Sequence, residues 1–230
     1  MGAEAKEAVP ALIKALNDRS KDVRAATAYA LGEIGPGASS AIPVLIDKLS
    51  KSNEHSRLVR DYISSALGDI GKAAIPSLIE ALSNRDEEVR ALAASALGGM
   101  EHNARDAIPE LIEALNDDNE DVRRSVIEAL GLIGPEAVIA VPALIEALKG
   151  ANTPWGTVEA LGMIGPGARA AAPAVRQALK EIDMLEAVTE AIDNTYPDAT
   201  SAGIALHKAS LYGKAIKAAA LALTILEQNW

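Results

Sequence analysis

The sequence predicts an all-α protein built as a solenoid of stacked helix pairs, and three observations carry that expectation. A proline that opens an apolar helical stripe returns at Pro10, Pro43, Pro76, Pro109 and Pro142, 33 residues apart each time. Leu-Gly pairs at Leu31, Leu67, Leu97, Leu130 and Leu161 mark a second helix within every interval. The core, finally, must come from small and aliphatic residues, because Phe is absent and aromatics make up 3% of a 230-residue chain that is 49% hydrophobic. Such a core suits helices packed closely on one another.

The first helix of each unit reads Pro-x-Leu-Ile-x-x-Leu, as in Pro10, Leu12, Ile13, Leu16 or Pro109, Leu111, Ile112, Leu115, a narrow apolar stripe led by a first-turn proline. A short polar turn follows. Ser20, Asp86 and Asn119 each stand three residues before the Val of a Val-Arg pair, where an N-cap side chain accepts an otherwise unpaired backbone N–H. Acidic residues come next in Glu87-Glu88 and Glu120-Asp121, as the helix dipole favours. The second helix buries one stripe, for example Val122, Val126, Ala129, Leu130 and Ile133, and stops at Gly35-Pro36, Gly134-Pro135 or Gly165-Pro166. Neither helix can bury both its faces alone, so neighbouring pairs must share one continuous core.

The units are not identical. The second has three extra residues in its internal turn, Lys51 to Arg57; the third ends in Gly99-Met100-Glu101 instead of Ile-Gly; the fifth has Thr153-Pro154 in place of Val-Arg and a short second helix. The spacing assigns residues 1–167 to five repeats and 168–230 to a sixth, divergent repeat, opened by Pro173, with a C-terminal helical cap in which the stripe Ile204, Leu211, Ile216, Leu223 and Leu226 resumes after Tyr196-Pro197-Asp198.

The unit Ala-Ile-Pro-x-Leu-Ile-x-Ala-Leu, polar turn, Val-Arg, Ala-Leu-Gly-x-Ile-Gly resembles the short HEAT-like repeats first associated with phycobilisome lyases, over about residues 3 to 173. The resemblance implies a right-handed superhelix of helix pairs whose second helices line the concave groove. It also implies that Arg24, Arg60, Arg90 and Arg123, with turn residues such as Asp18 and Asp117, form a ladder linking successive turns. The Thr-Pro-Leu-His signature of ankyrin, which shares the period, is missing from the sequence.

Composition narrows the chemistry. Without cysteine there is no thiol nucleophile, disulfide or thiolate zinc site. His55, His102 and His207 have no second ligand at helical spacing, the Gly-Pro-Gly strings end helices instead of opening a phosphate loop, and the carboxylate pairs fall where helix starts explain them. No catalytic residue, metal or cofactor is therefore expected. A net charge of −10 and the lack of a basic stripe with interleaved aromatics disfavour nucleic acid and anionic membrane. The longest apolar run falls short of a membrane span and the first residues lack a signal peptide's pattern, so a cytoplasmic location is expected.

The binding surface is read from the second helices. Counted from the Val of Val-Arg, the column at plus two holds Ala25, Asp61, Ala91, Arg124 and Trp155, and that at plus five Ala28, Ser64, Ala94, Ile127 and Val158. Plus six holds Tyr29, Ser65, Ser95, Glu128 and Glu159, and plus ten Glu33, Asp69, Gly99, Leu132 and Met163. Candidate contacts are Tyr29, Asp61, Ser65, Arg124, Ile127, Glu128, Leu132, Trp155, Val158, Glu159 and Met163, with apolar side chains gathered in the C-terminal repeats. The expected function is a non-enzymatic scaffold for a protein or peptide, or for a second copy through the C-terminal helices. The family resemblance offers a tetrapyrrole-handling alternative with Tyr29, Arg124, Trp155 and Glu159 as contacts. A third alternative, an engineered repeat array, is weakened by the uneven loops.

Overall fold

A computed structural model describes residues 3–50, 54–150 and 155–178, every described element being helical. The chain divides into two compact units, Met1–Ala140 and Val141–Trp230. In the first, α1 (Ala3–Glu7) and α2 (Val9–Ala15) precede the long α3 (Lys21–Ile34). The pairs α4 (Ile42–Asp47) with α5 (Arg57–Ile70), α6 (Ile75–Ala81) with α7 (Glu87–Gly99), and α8 (Ile108–Ala114) with α9 (Glu120–Ile133) follow. The second unit shows α10 (Val141–Gly150) and α11 (Trp155–Ile164), then helical turns over 172–178. The extra turn residues 51–53, Thr153-Pro154 and the C-terminal cap lie outside the described residues.

The predicted boundaries have visible causes. Pro10, Pro43, Pro76 and Pro109 each sit in the first turn, where a missing N–H costs nothing. Asp86 caps α7 through the N–H of Glu88, and Asn119 caps α9 through those of Asp121 and Val122. Ser20 occupies the N-cap of α3 but its hydroxyl makes no cap bond. Gly35, Gly71, Gly134 and Gly165 end the second helices at φ between 65° and 80°, a backbone conformation only glycine adopts freely. The altered third unit places Glu101 in the same role at φ 51°, with a Cβ the conformation does not favour.

A 3-10 segment joins each second helix to the next first helix: Gly35–Ala41, Gly71–Ala74, Glu101–Ala107, Gly134–Ala140 and Gly165–Ala171. Three residues per turn stack positions i and i+3 on one side. The pairs Ala38/Ala41, Ala104/Ala107, Ala137/Ala140 and Ala168/Ala171 obey that spacing, and all eight alanines are fully buried. Unit four fills the two outward positions between its alanines with Val138 and Ile139, both exposed. The stretch 120–148 is consequently apolar enough to span a membrane by length and composition, contrary to the sequence expectation, although Gly134 breaks it and half of its most apolar window is buried.

Within the first unit the second helices stack directly, and the Leu-Gly pair explains how. Leu31, Leu67, Leu97 and Leu130 are wholly buried. The glycine beside them lets the next helix approach: a Cβ on Gly98 would lie 2.8 Å from the Ala129 Cα, one on Gly32 3.2 Å from the Ala66 Cα, and one on Gly68 3.3 Å from the Ala96 carbonyl. Glycine on one helix meets alanine on the next, so close-packed small residues replace the missing aromatics in holding the stack together.

Candidate functional site

The arginines that recur with the repeat hold the turns at fixed spacing and so fix the surface beside them. In four successive turns a side-chain oxygen takes the backbone N–H two residues on: Asp18 from Ser20 (2.8 Å), Glu54 from Ser56 (2.8 Å), Asn84 from Asp86 (2.9 Å) and Asp117 from Asn119 (2.9 Å). The arginine of the same repeat donates Nη1 to the carbonyl of that residue, from Arg24 to Asp18, Arg60 to Glu54, Arg90 to Asn84 and Arg123 to Asp117. In Arg24 and Arg90 the remaining nitrogens reach forward to the next turn. Arg24 forks onto Glu54, with Nη2 at 2.8 Å, and Arg90 onto Asp117, with Nε at 2.6 Å and Nη2 at 2.8 Å.

The third turn carries the neutral Asn84, and there the ladder shifts. Arg60 turns to Glu88 on α7, with Nη2 at 2.8 Å, and its buried Nε is left without a hydrogen bond among the described residues. Electrostatics follow the pairing. The Arg24 hydrogen bond holds the Glu54 carboxyl below its ordinary range against the opposing effect of burial, and Arg90 does the same for Asp117. The expected arginine ladder is present, and each fork closes on a carboxylate supplied by the following repeat.

Three of the four columns separate by exposure, while plus two is mixed, from the buried Ala25 to the exposed Asp61 and Arg124. Plus six is exposed in all five units and plus ten likewise, from Tyr29 and Glu33 on α3 to Glu159 and Met163 on α11. Plus five faces inward: Ala28, Ser64, Ala94 and Val158 are buried and Ile127 is half-buried. Val158, read from sequence as a contact residue, is therefore a core residue of the second unit at 1% exposure. Its column is small in most repeats because it packs inside the stack. Asp61, Ser65, Glu128 and Leu132 are exposed as expected. Arg124 is exposed and ion-paired to Asp121 one turn earlier. The Trp155 side chain lies outside the described residues. Tyr29 on α3 and Arg124 on α9 are not brought together, because α5 and α7 stack between them.

Between α5 and α7 the exposed columns border a groove of about 350 Å³. It is lined by the small residues Gly68, Ala96 and Gly99 and by the polar Asp61, Ser65, Asp69 and Ser95. Ser64 is spent on the Leu92 carbonyl at 2.9 Å, and Asp61 on Arg57 at 2.7 Å. At the α3 side, Tyr29 donates to Glu33 and meets Tyr62 edge to face, ring centres 6.4 Å apart. Partial burial, reinforced by the Glu33 charge, raises the Asp69 carboxyl above its usual range. The hydrogen bond to Glu33 raises the Tyr29 phenol. Glu33, Tyr62, Asp69 and Ser95 were not among the candidate contacts. Three of them stand in the plus-six and plus-ten columns, while Tyr62 lies at plus three and meets Tyr29 only across the repeat boundary. Among the described residues no three His, Asp or Glu side chains are grouped to hold a metal ion.

A family profile described as HEAT repeats matches residues 9–83, 75–155 and 108–193. No curated protein matches the sequence. Among solved structures, an engineered protein aligns at 21% identity over 98% of this chain and 97% of its own, with a TM-score of 0.51. The structure of a phycocyanin lyase complex from Nostoc aligns at 22% identity over 64% of this chain and 92% of its own, TM-score 0.49. A designed armadillo repeat protein aligns at 18% identity over 95% and 100%, TM-score 0.48.

Proposed function

Because the chain belongs to the HEAT-repeat family, we propose that it is a non-enzymatic scaffold that binds a protein or peptide along the exposed face of its second helices. The observation that carries this is the separation of columns. One set of positions is buried and nearly constant, with leucine, glycine and alanine, whereas plus six and plus ten stay exposed in every unit, plus six passing from Tyr through Ser to Glu and plus ten holding a different residue in each. A repeat array needs constant residues to stack and has no stacking reason to vary a solvent-facing stripe in one register. Variation there supplies specificity on a fixed frame. Ser65 and Glu128 are the central contacts of the first unit, with Tyr29 at its end; Glu159 and Met163 play the same part in the second. The proposed setting is the cytoplasm.

Photo-crosslinking residues installed at Ser65, Ser95 and Glu128, compared with Glu80 and Glu113 on first helices, test the proposal in extract of the native host. Adducts of one partner at the second-helix positions alone are expected. Equal labelling from both sets, or labelling from the first helices alone, would refute it.

A further inference from the structure

The junction between α5 and α7 is built differently from the junctions on either side of it. At α3/α5 and α7/α9 an arginine forks Nε and Nη2 onto one acid of the next turn. At α5/α7 the fork is open: Arg60 Nη2 reaches Glu88 at 2.8 Å, and Nε has no partner among the described residues. Both side chains of this pair are buried, at 4% and 8% exposure, whereas Arg24 and Arg90 each keep 17%. The inward plus-five position is Ser64, bonded across the junction to the Leu92 carbonyl at 2.9 Å, where the neighbouring repeats have Ala28 and Ala94. The groove of about 350 Å³ is cut into the same seam, lined by α5 from Arg57 to Asp69 and by α7 from Leu92 to Gly99. The 3-10 segment that leads from α5 into the third repeat, Gly71–Ala74, has four residues against seven in each of the others. It opens on Gly71 at φ 80°, where an added Cβ would meet nothing within 4 Å.

These features bear on which junction yields first. Burying two charges and a hydroxyl carries a desolvation penalty that their pairing only partly offsets, and parting the helices returns them to water. At α7/α9 the same motion separates the closest small-residue contact, a Gly98 Cβ position 2.8 Å from the Ala129 Cα, and at α3/α5 that of Gly32 with the Ala66 Cα at 3.2 Å. Loss of such contacts has no compensating hydration. Solvent already borders the α5/α7 seam along the groove, at the exposed Ser65, Asp69, Ser95 and Gly99. We propose that this seam is a hinge: α1–α5 and α6–α9 turn against each other as two blocks about residues 71–74, widening and closing the groove. Opening of this kind is confined to one boundary between cooperative blocks. The hinge is a property of the stack and stands whatever the exposed columns bind. Its consequence for that face is a spacing that changes at one point, between Ser65 and Ser95.

The test is a set of nitroxide distance measurements by double electron–electron resonance on the full chain, which has no cysteine of its own to interfere. Three doubly labelled variants each span one junction between equivalent exposed sites: P10C/S65C across α3/α5, P43C/S95C across α5/α7 and P76C/E128C across α7/α9. All six sites are on the surface, so the variants keep the helical circular dichroism of the parent. The first and third are expected to give one narrow distribution each, and P43C/S95C a broader one with a second population. Asn84→Asp, which supplies the acid that Arg60 Nε lacks, is expected to depopulate that second state about fivefold, as a further charge-assisted bond less its desolvation should. A P43C/S95C distribution no broader than the other two, or one that Asn84→Asp leaves unchanged, would overturn the hinge.

Discussion

Replacing Asn84 with Asp should complete the arginine ladder and stabilise the first unit, because one residue explains why Arg60 differs from its equivalents. Arg24 and Arg90 each place Nε and Nη2 on an acid in the next turn, whereas Arg60, facing a neutral Asn at that position, leaves Nε unbonded at 4% side-chain exposure. A charged acceptor for that nitrogen contributes about 1.5–3 kcal/mol as a charge-assisted hydrogen bond. Against it stand partial desolvation of the new carboxylate and its repulsion by Glu88, already 2.8 Å from Arg60 Nη2. The N–H of Asp86 keeps its acceptor, since Asp retains the oxygen that Asn uses at 2.9 Å. A net gain of about 1 kcal/mol follows, or roughly 2–4 °C in Tm for a chain of this size. Urea unfolding at pH 7 measures it, and the same variant in an Arg60→Met background isolates the coupling, which should account for nearly all the gain. An Asn84→Asp protein no more stable than the parent, or a gain that survives Arg60→Met, would refute the assignment of the orphaned Nε to the missing acid.

Other consequences are open to the same kind of measurement. Glu101→Gly should raise stability by about 0.5–1 kcal/mol, since relief of the left-handed backbone outweighs the added unfolded-state entropy; a loss in urea unfolding would mean that the conformation is not strained. Gly98→Ala should destabilise by about 1–2 kcal/mol, because a Cβ 2.8 Å from the Ala129 Cα overrides alanine's helix preference, whereas Gly99→Ala meets nothing and should not. Leu130→Ala, at a fully buried position, should cost about 2–5 kcal/mol by the same assay, and a cost below about 1 kcal/mol would mean the stripe is misassigned. In acid the signs are opposite for two kinds of carboxyl. Glu54 and Asp117, lowered by arginine hydrogen bonds, lend stability that is complete above the unfolded carboxyl pKa of about 4 and lost as pH falls through their folded values. Glu54→Gln should therefore flatten the acid limb of stability against pH. Asp69, raised by burial and Glu33, favours folding when protonated, so Asp69→Asn should remove a penalty felt at neutral pH.

Much of the fold is legible in the sequence because it depends on spacing. The prolines, the caps at Asp86 and Asn119, the glycine stops and the Leu-Gly pairs recur in register, and each has a local backbone reason. The buried alanines of the 3-10 segments are equally regular, but their i,i+3 spacing has no amphipathic helix to announce it. The site is less legible. Smallness in the plus-five column comes from helices packing closely, as at Ser64 and Ala94, and a string cannot separate an apolar side chain in that inward column from one on an open surface; Val158, expected as a contact for its apolar character, is buried in the core. Ladder partners were also hidden, because the extra residues before Glu54 shift its spacing from Arg24 and because Asn84 displaces the partnership to Glu88. Tyr62 became visible only when two helices brought it against Tyr29.

Amide shift mapping of the isotopically labelled full chain, titrated with a peptide selected for binding, tests the binding face most directly. Perturbations should follow Tyr29, Ser65, Asp69, Ser95 and Glu128 along α3, α5, α7 and α9, leaving Glu80 and Glu113 on the first helices unmoved. Perturbations concentrated on α4, α6 and α8, with the second-helix stripe unchanged, would contradict the account.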